Sequence, residues 1–171
     1  NLPLIVIYSD VIFRKELIAK LLDNYNENTM LINKDWKKNY LGPILKNKKL
    51  EEAEKVIFRK QYIKSISKTI DYKISDAEYI GLSIFSPETI KIINDDLKKL
   101  AISKIKKYSL IQFLNSLIIK NNIKITYINS NKDYKELVNK NDFAKFLFGT
   151  KSETLKRIKN KLKYSYIPKS I

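Results

Sequence analysis

The run Leu4-Ile5-Val6-Ile7-Tyr8-Ser9-Asp10 constrains this chain most: four apolar residues lead to a lone acid, and a helix-like stretch, Phe13–Asn24, follows at once. An apolar run without polar alternation suits a strand covered on both faces, so the segment reads as a buried parallel strand. In open α/β sheets, ligands bind just beyond the carboxyl ends of such strands, which puts Asp10 where a metal or a phosphate would be held. The competing reading makes Ser9 or Asp10 the N-cap of a helix starting at Val11, a role both residue types fill well.

Downstream, strand-like and helix-like segments alternate. Thr29–Asn33 reads as a short apolar strand, and Lys34–Leu50, with Gly42-Pro43, as a Lys-rich loop. Glu51–Ile70 is ambiguous, because Val56 and Phe58 are two apart while Ile63 and Ile66 are three apart; strand from about Glu54 is the favoured reading. Ala77–Phe85 is a strand, and Ser86-Pro87-Glu88 starts a helix to about Leu100 with a cap, a first-turn Pro and an early acid. Ser109–Asn121 is a second helix, with Leu110, Phe113, Leu114, Leu117 and Ile118 on one face, and Ile123–Ile128 is another strand. Asn139–Phe148 reads as helical, Gly149 stops it, and Thr150 caps a last basic helix to about Lys163. The alternation predicts an α/β layered domain.

Composition removes whole classes of chemistry. Without Cys or His there is no thiol nucleophile, zinc-thiolate centre, imidazole base or Ser-His-Asp triad. Catalysis must run on carboxylates, Lys, Tyr, backbone amides and a hard cation that prefers oxygen. No apolar stretch is long enough to span a bilayer and no signal-peptide pattern opens the chain, so a cytoplasmic location is expected. The net charge of +16 invites a nucleic-acid reading. Against it, only Arg14, Arg59 and Arg157 of the 34 basic residues are Arg, the side chain that grips phosphate bidentately. Lys, Ile and Asn together make up 74 of the 171 residues, a bias expected from A/T-rich codons, so compositional drift is the favoured explanation. Nucleic acid is not the expected partner.

Several ordered segments resemble one group of proteins. They are Ile7-Tyr8-Ser9-Asp10 with Phe13 and Leu17, Asp35-Trp36-Lys37, Glu52-Ala53-Glu54-Lys55-Val56, Glu78-Tyr79-Ile80-Gly81-Leu82 leading to Ser86-Pro87-Glu88, Leu110–Leu117, and Tyr134-Lys135-Glu136-Leu137 with Asp142. Together they resemble the bacterial sugar-nucleotidyltransferase-like family, specifically phosphocholine cytidylyltransferases and the cytidylyltransferase domains associated with phosphoenolpyruvate phosphomutase. The resemblance covers roughly residues 4–146, the C-terminal two-thirds of such a domain.

The resemblance implies a Rossmann-like nucleotidyltransferase fold, a mixed, mostly parallel sheet flanked by helices, truncated at its N-terminus, and a requirement for Mg²⁺. It implies that Asp10 and Glu136 hold the metal, with Asp10 also catalytic. Lys34, Lys37 and Lys55 become candidates to neutralise a phosphate, and Trp36, Glu78 and Tyr79 to line the substrate pocket, where a ring could hold a quaternary amine. The competing readings are surface packing for Trp36 and a core position for Tyr79. The implied substrates are a nucleoside triphosphate, CTP favoured, and a phosphorylated or phosphonate small molecule, with pyrophosphate released. The family's Gly-rich G-x-G-[ST]-R-type loop and the Lys after it would fall before residue 1, and Val138 and Asn33 stand where acids are frequent in the family. These departures keep open a non-catalytic spacer or interaction domain of a larger enzyme, and the charge keeps open a basic nucleic-acid-binding module. Phe148–Leu155 resembles the lead-in to modules related to phosphoenolpyruvate synthase, implying other domains of the same polypeptide as partners. The expected division is a nucleotidyltransferase-like domain over residues 1–147 and a basic helix or junction over 148–171.

Overall fold

The strand Ala77–Phe85 organises the protein: all nine of its residues are buried, and it receives partners on both edges. In chain order the elements of this computed structural model are β1 (Leu4–Ile7), β2 (Val11–Phe13), α1 (Lys15–Leu22), β3 (Thr29–Asn33), a 3₁₀ turn (Trp36–Tyr40), β4 (Lys55–Arg59), β5 (Tyr62–Ser67), β6 (Ala77–Phe85), α2 (Pro87–Lys99), α3 (Leu110–Ile119), β7 (Thr126–Asn129) and β8 (Tyr134–Glu136). The structure describes residues 2–40, 50–99, 108–131 and 133–137. The expected Gly42-Pro43 loop, the helices over 139–148 and 150–163, and Val138, Asp142 and Phe148–Leu155 lie outside the described residues. By internal contacts the chain divides into a first unit, Asn1–Tyr134, and a second, Lys135–Ile171.

Within the first unit the main sheet has the order β5-β4-β6-β3-β7, with β1 also on β6. β1 pairs with Leu82–Phe85 and β4 with Ala77–Glu78, both antiparallel, while β3 takes the opposite edge of β6, also antiparallel. β3 and β7 form a parallel pair. This corrects the reading of β1 as a buried parallel strand. It pairs antiparallel, and Leu4, Ile5 and Ile7 are 39%, 42% and 54% exposed, because β6 runs counter to it and α1 covers the neighbouring strands instead.

Helices lie on both faces. On one, Met30, Ile32, Val56, Ile63, Ile66, Ala77, Tyr79 and Phe85 pack against Ile93 of α2 and Ile111, Leu114, Leu117 and Ile118 of α3. On the other, Leu31, Ile80, Leu82 and Ile84 pack against Leu17 and Leu21 of α1. β3 is buried throughout because its alternate side chains enter these two separate cores, which is why its sequence reads as an unbroken apolar run.

Two irregularities shape the sheet. In the β4–β5 hairpin the register steps from Ile57↔Ser65 to Phe58↔Ile63, leaving Lys64 as the extra residue of a bulge. The bulge flips the alternation, so Ile63 and Ile66, three apart, enter the same core. The second is in β6, where Met30↔Ser83 is followed by Ile32↔Tyr79 and the intervening Gly81 takes φ +80°.

The helix starts follow sequence chemistry. The Ser86 hydroxyl accepts from the Thr89 amide at 3.3 Å, Pro87 is the first residue of α2, and hydrogen bonding to its own amide and to Ser86 holds the exposed Glu88 carboxyl below the usual range. Before α3, Ser109 and Gln112 form a reciprocal capping box. Ser109→Ala is expected to cost about 1 kcal/mol of stability, read as a lower urea midpoint at unchanged slope.

Candidate functional site

β1, β3 and β7 all run in the same direction, because β1 and β3 are both antiparallel to β6 and β3 is parallel to β7. Their carboxyl ends therefore share one end of the sheet, the end at which α/β folds place their ligands. Three connections leave from it: Tyr8–Asp10 after β1, Lys34–Asp35 after β3, and Ser130–Asn131 after β7.

Asp10 is exposed in the turn between β1 and β2. It does not cap α1. The N-cap is Arg14, and β2 separates that helix from the turn, so the capping reading of Ser9 and Asp10 is overturned by three residues of extended chain. Arg14 is fixed in turn by its amide, which donates to the Asp133 carbonyl at 2.9 Å, and by its guanidinium, 3.5 Å from the Asp133 carboxylate.

The substrate-binding candidates gather around the start of β6. Lys55 and Glu78 face each other directly across β4 and β6, and Asn33 faces Glu78 from β3, so three polar side chains cross the sheet in one row. All three are buried. The Lys55 ammonium donates to the Leu50 and Glu51 carbonyls at 3.1 and 2.7 Å, and burial holds its pKa below the ordinary lysine value. Asn33 donates to the Tyr134 hydroxyl at 3.0 Å and accepts from the Asp35 amide at 2.9 Å. Trp36 is 0% exposed, packed with Leu50 and Ala53 rather than on the surface. The Lys37 ammonium lies 5.7 Å from the centre of the Trp36 ring and donates to the Ser75 carbonyl. Lys34 lies over the Phe58 and Tyr127 rings, at 4.9 and 4.8 Å.

Tyr79 lies apart from this row. It points to the opposite face of β6 from Glu78, into the core beside α3, and its hydroxyl bonds Ser83 at 3.1 Å. Burial pushes its pKa up. Glu136, exposed at the end of β8, belongs to the second unit.

Two residues at this end of the sheet were not singled out from sequence. Tyr8 donates to the Glu54 carboxylate at 2.8 Å, and Glu54 also lies 3.7 Å from the Lys68 ammonium. Burial and the Glu54 carboxylate hold the Tyr8 hydroxyl well above the usual phenol range. The partners are 46 residues apart, so no local spacing announces them. Ser130, at the end of β7, has a buried hydroxyl without a hydrogen-bond partner among the described residues.

Among solved structures the chain is similar to an inositol-1-phosphate CTP transferase from T. maritima, with 14% identity over 98% of this chain and 58% of the other, at a TM-score of 0.56. It is also similar to a protein described as a glucose-1-phosphate thymidylyltransferase from Bacillus anthracis, in complex with a sucrose, at 16% identity, TM-score 0.53, covering 99% of this chain and 58% of that one. A third is an apo UDP-glucose pyrophosphorylase, at 14% identity and TM-score 0.52, with 95% and 56% covered. The chain has the Rossmann-like nucleotidyltransferase fold. At such identities the likeness establishes that fold alone, and the chain spans less than three-fifths of each neighbour's length. No family model matches the chain, and no curated protein matches it.

Among the described residues no group of three or more acidic side chains could hold a metal ion. No helix among the described residues is long and apolar enough to cross a membrane.

Proposed function

We propose that this chain is part of a nucleotidyltransferase that joins a nucleoside monophosphate to a phosphorylated or phosphonate small molecule and releases pyrophosphate, with CTP the favoured donor. The observation that carries the reading is the common direction of β1, β3 and β7, which brings the exposed Asp10 turn to the ligand-binding end of a sheet with this fold. The sequence resemblance supports cytidine as the base, while the structural neighbours, a CTP transferase, a thymidylyltransferase and a UDP-glucose pyrophosphorylase, support nucleotidyl transfer without choosing a base.

In this reading Asp10 would hold Mg²⁺, which when bound would neutralise charge on the α-phosphate and the departing pyrophosphate. An acceptor phosphate oxygen forms the new bond to the α-phosphorus. The bond from that phosphorus to the bridging oxygen breaks, and the electron pair leaves with pyrophosphate. The attacking oxygen is already anionic at neutral pH, so no base is needed, and the lack of His is no obstacle. Lys55 and Lys37 bring positive charge to the acceptor side, Glu78 faces Lys55 across the sheet, and Trp36 buttresses the wall, whereas Tyr79 sits in the opposite core. Catalysis comes from positioning and charge neutralisation.

The test is pyrophosphate release by the intact protein with CTP, UTP, dTTP and a panel of phosphorylated acceptors including choline phosphate and inositol phosphate. Release that needs Mg²⁺, stops with excess EDTA and is fastest with CTP is the expected result. No release with any pair overturns the reading.

A further inference from the structure

β1 and β4 occupy the same edge of β6 and leave a fork between them: β1 pairs as far as Leu82, and β4 takes over at Glu78. Each strand sends one backbone bond into the fork. The Tyr8 amide donates to the Gly81 carbonyl at 2.8 Å, and the Tyr79 amide donates to the Glu54 carbonyl at 2.8 Å. The Tyr8 side chain spans the gap, with its hydroxyl on the Glu54 carboxylate and its ring edge-on to Tyr79, centroids 5.7 Å apart. Its ring atoms occupy the space beside Gly81 where any other residue would carry a Cβ, 2.3 Å from that position.

Two connections of this tyrosine lead to opposite sides of the candidate site: its own chain runs on to the Asp10 turn, and its hydroxyl holds Glu54. Tyr8 is two residues before Asp10, in the chain that turns after β1. Glu54 directly precedes Lys55, whose ammonium is held by main-chain carbonyls and whose partner across the sheet is Glu78. The phenol-to-carboxylate bond joins the Asp10 turn directly to the Glu54–Lys55 segment. A charge-assisted bond in a half-buried setting holds its two segments in register more firmly than a solvent-exposed one.

We propose that Tyr8 is a positioning residue: through Glu54 it couples the Asp10 turn, on the cation side of the site, to the Glu54–Lys55 segment on the acceptor side. This rests on the nucleotidyltransferase reading and adds to it a linkage between the two halves. Tyr8 touches neither substrate. It sets the distance between the groups that do.

The experiment compares wild type, Tyr8→Phe, Glu54→Leu and the double variant in the intact protein, by steady-state pyrophosphate release with Mg²⁺ and acceptor varied independently. Tyr8→Phe keeps the ring beside Gly81 and removes only the hydroxyl. It is expected to raise both the half-saturating Mg²⁺ and the acceptor KM, each by about 3- to 10-fold, less than the full strength of a charge-assisted bond because the effect is passed on through Glu54. Should Tyr8→Phe fail to fold, Glu54→Leu breaks the same bond from the other side and reads the same paired shift. The double variant should be no worse than Glu54→Leu alone, since both remove one interaction. A tyrosine that merely packs would lower the unfolding temperature and leave both constants unchanged. With wild type active, unchanged constants in Tyr8→Phe, or additive losses in the double variant, overturn the linkage alone. A wild type without activity overturns the functional reading and the linkage with it.

Discussion

Asp10→Asn is expected to lower pyrophosphate release by about 10³-fold, the loss of several kcal/mol of charge stabilisation when one metal-holding carboxylate is removed. The substitution is nearly isosteric and the side chain is exposed, so the thermal midpoint should stay where it is in the wild type. Helix stability gives no alternative explanation, because Arg14 and not Asp10 stands at the N-cap of α1. The half-saturating Mg²⁺ should rise in parallel, which separates loss of a metal ligand from loss of a group that only orients the turn. Activity of Asp10→Asn close to that of wild type, at the same Mg²⁺ dependence, would remove Asp10 from the site.

Gly81→Ala should cost about 3 kcal/mol or more of stability, read from chemical denaturation. Two independent penalties combine. The backbone at φ +80° suits glycine and strains any side chain, and the new Cβ would lie 2.3 Å from a Tyr8 ring carbon. Only the second can be relieved by moving Tyr8. Tyr8→Ala on the Gly81→Ala background is therefore expected to restore part of the loss, whereas Tyr8→Ala alone destabilises by opening a cavity at the fork. Independent, additive losses would mean that the ring does not fill the glycine notch.

How much of this was legible before the structure can be read from particular elements. β3 and β6 follow their sequence bounds, Thr29–Asn33 and Ala77–Phe85, because both are buried on two faces and rich in apolar residues. The starts of α2 and α3 also follow from local chemistry, since caps act over three or four residues. The β4–β5 region was ambiguous for a physical reason: the bulge at Lys64 shifts the side-chain phase, and the spacing of Ile63 and Ile66 then imitates a helix. The run in β1 misled in the other direction. Apolar residues at such density imply burial, yet Leu4, Ile5 and Ile7 remain substantially exposed.

The candidate site divides in the same way. Asp10 was visible as an acid after a strand, and Trp36, Lys37, Lys55 and Glu78 as residues within segments of shared resemblance. Their arrangement was not. That Lys55 faces Glu78, that Glu78 faces Asn33, and that Tyr79 turns to the opposite core follow from register, which no single segment contains. Tyr8 and Glu54, 46 residues apart, meet only because β1 and β4 share an edge of β6.

By itself, the amino-acid order determined which chemistries are open, since a chain without Cys or His is left with carboxylates, amines and phenols. It also determined the positions of the buried strands and the helix starts, because burial on both faces and capping each leave a local signature. Only the tertiary structure decided strand direction, the bulges, and which side chains meet at the carboxyl ends of β1, β3 and β7. Those depend on pairings between distant segments, where the same apolar run satisfies parallel and antiparallel neighbours equally well until the whole sheet selects one.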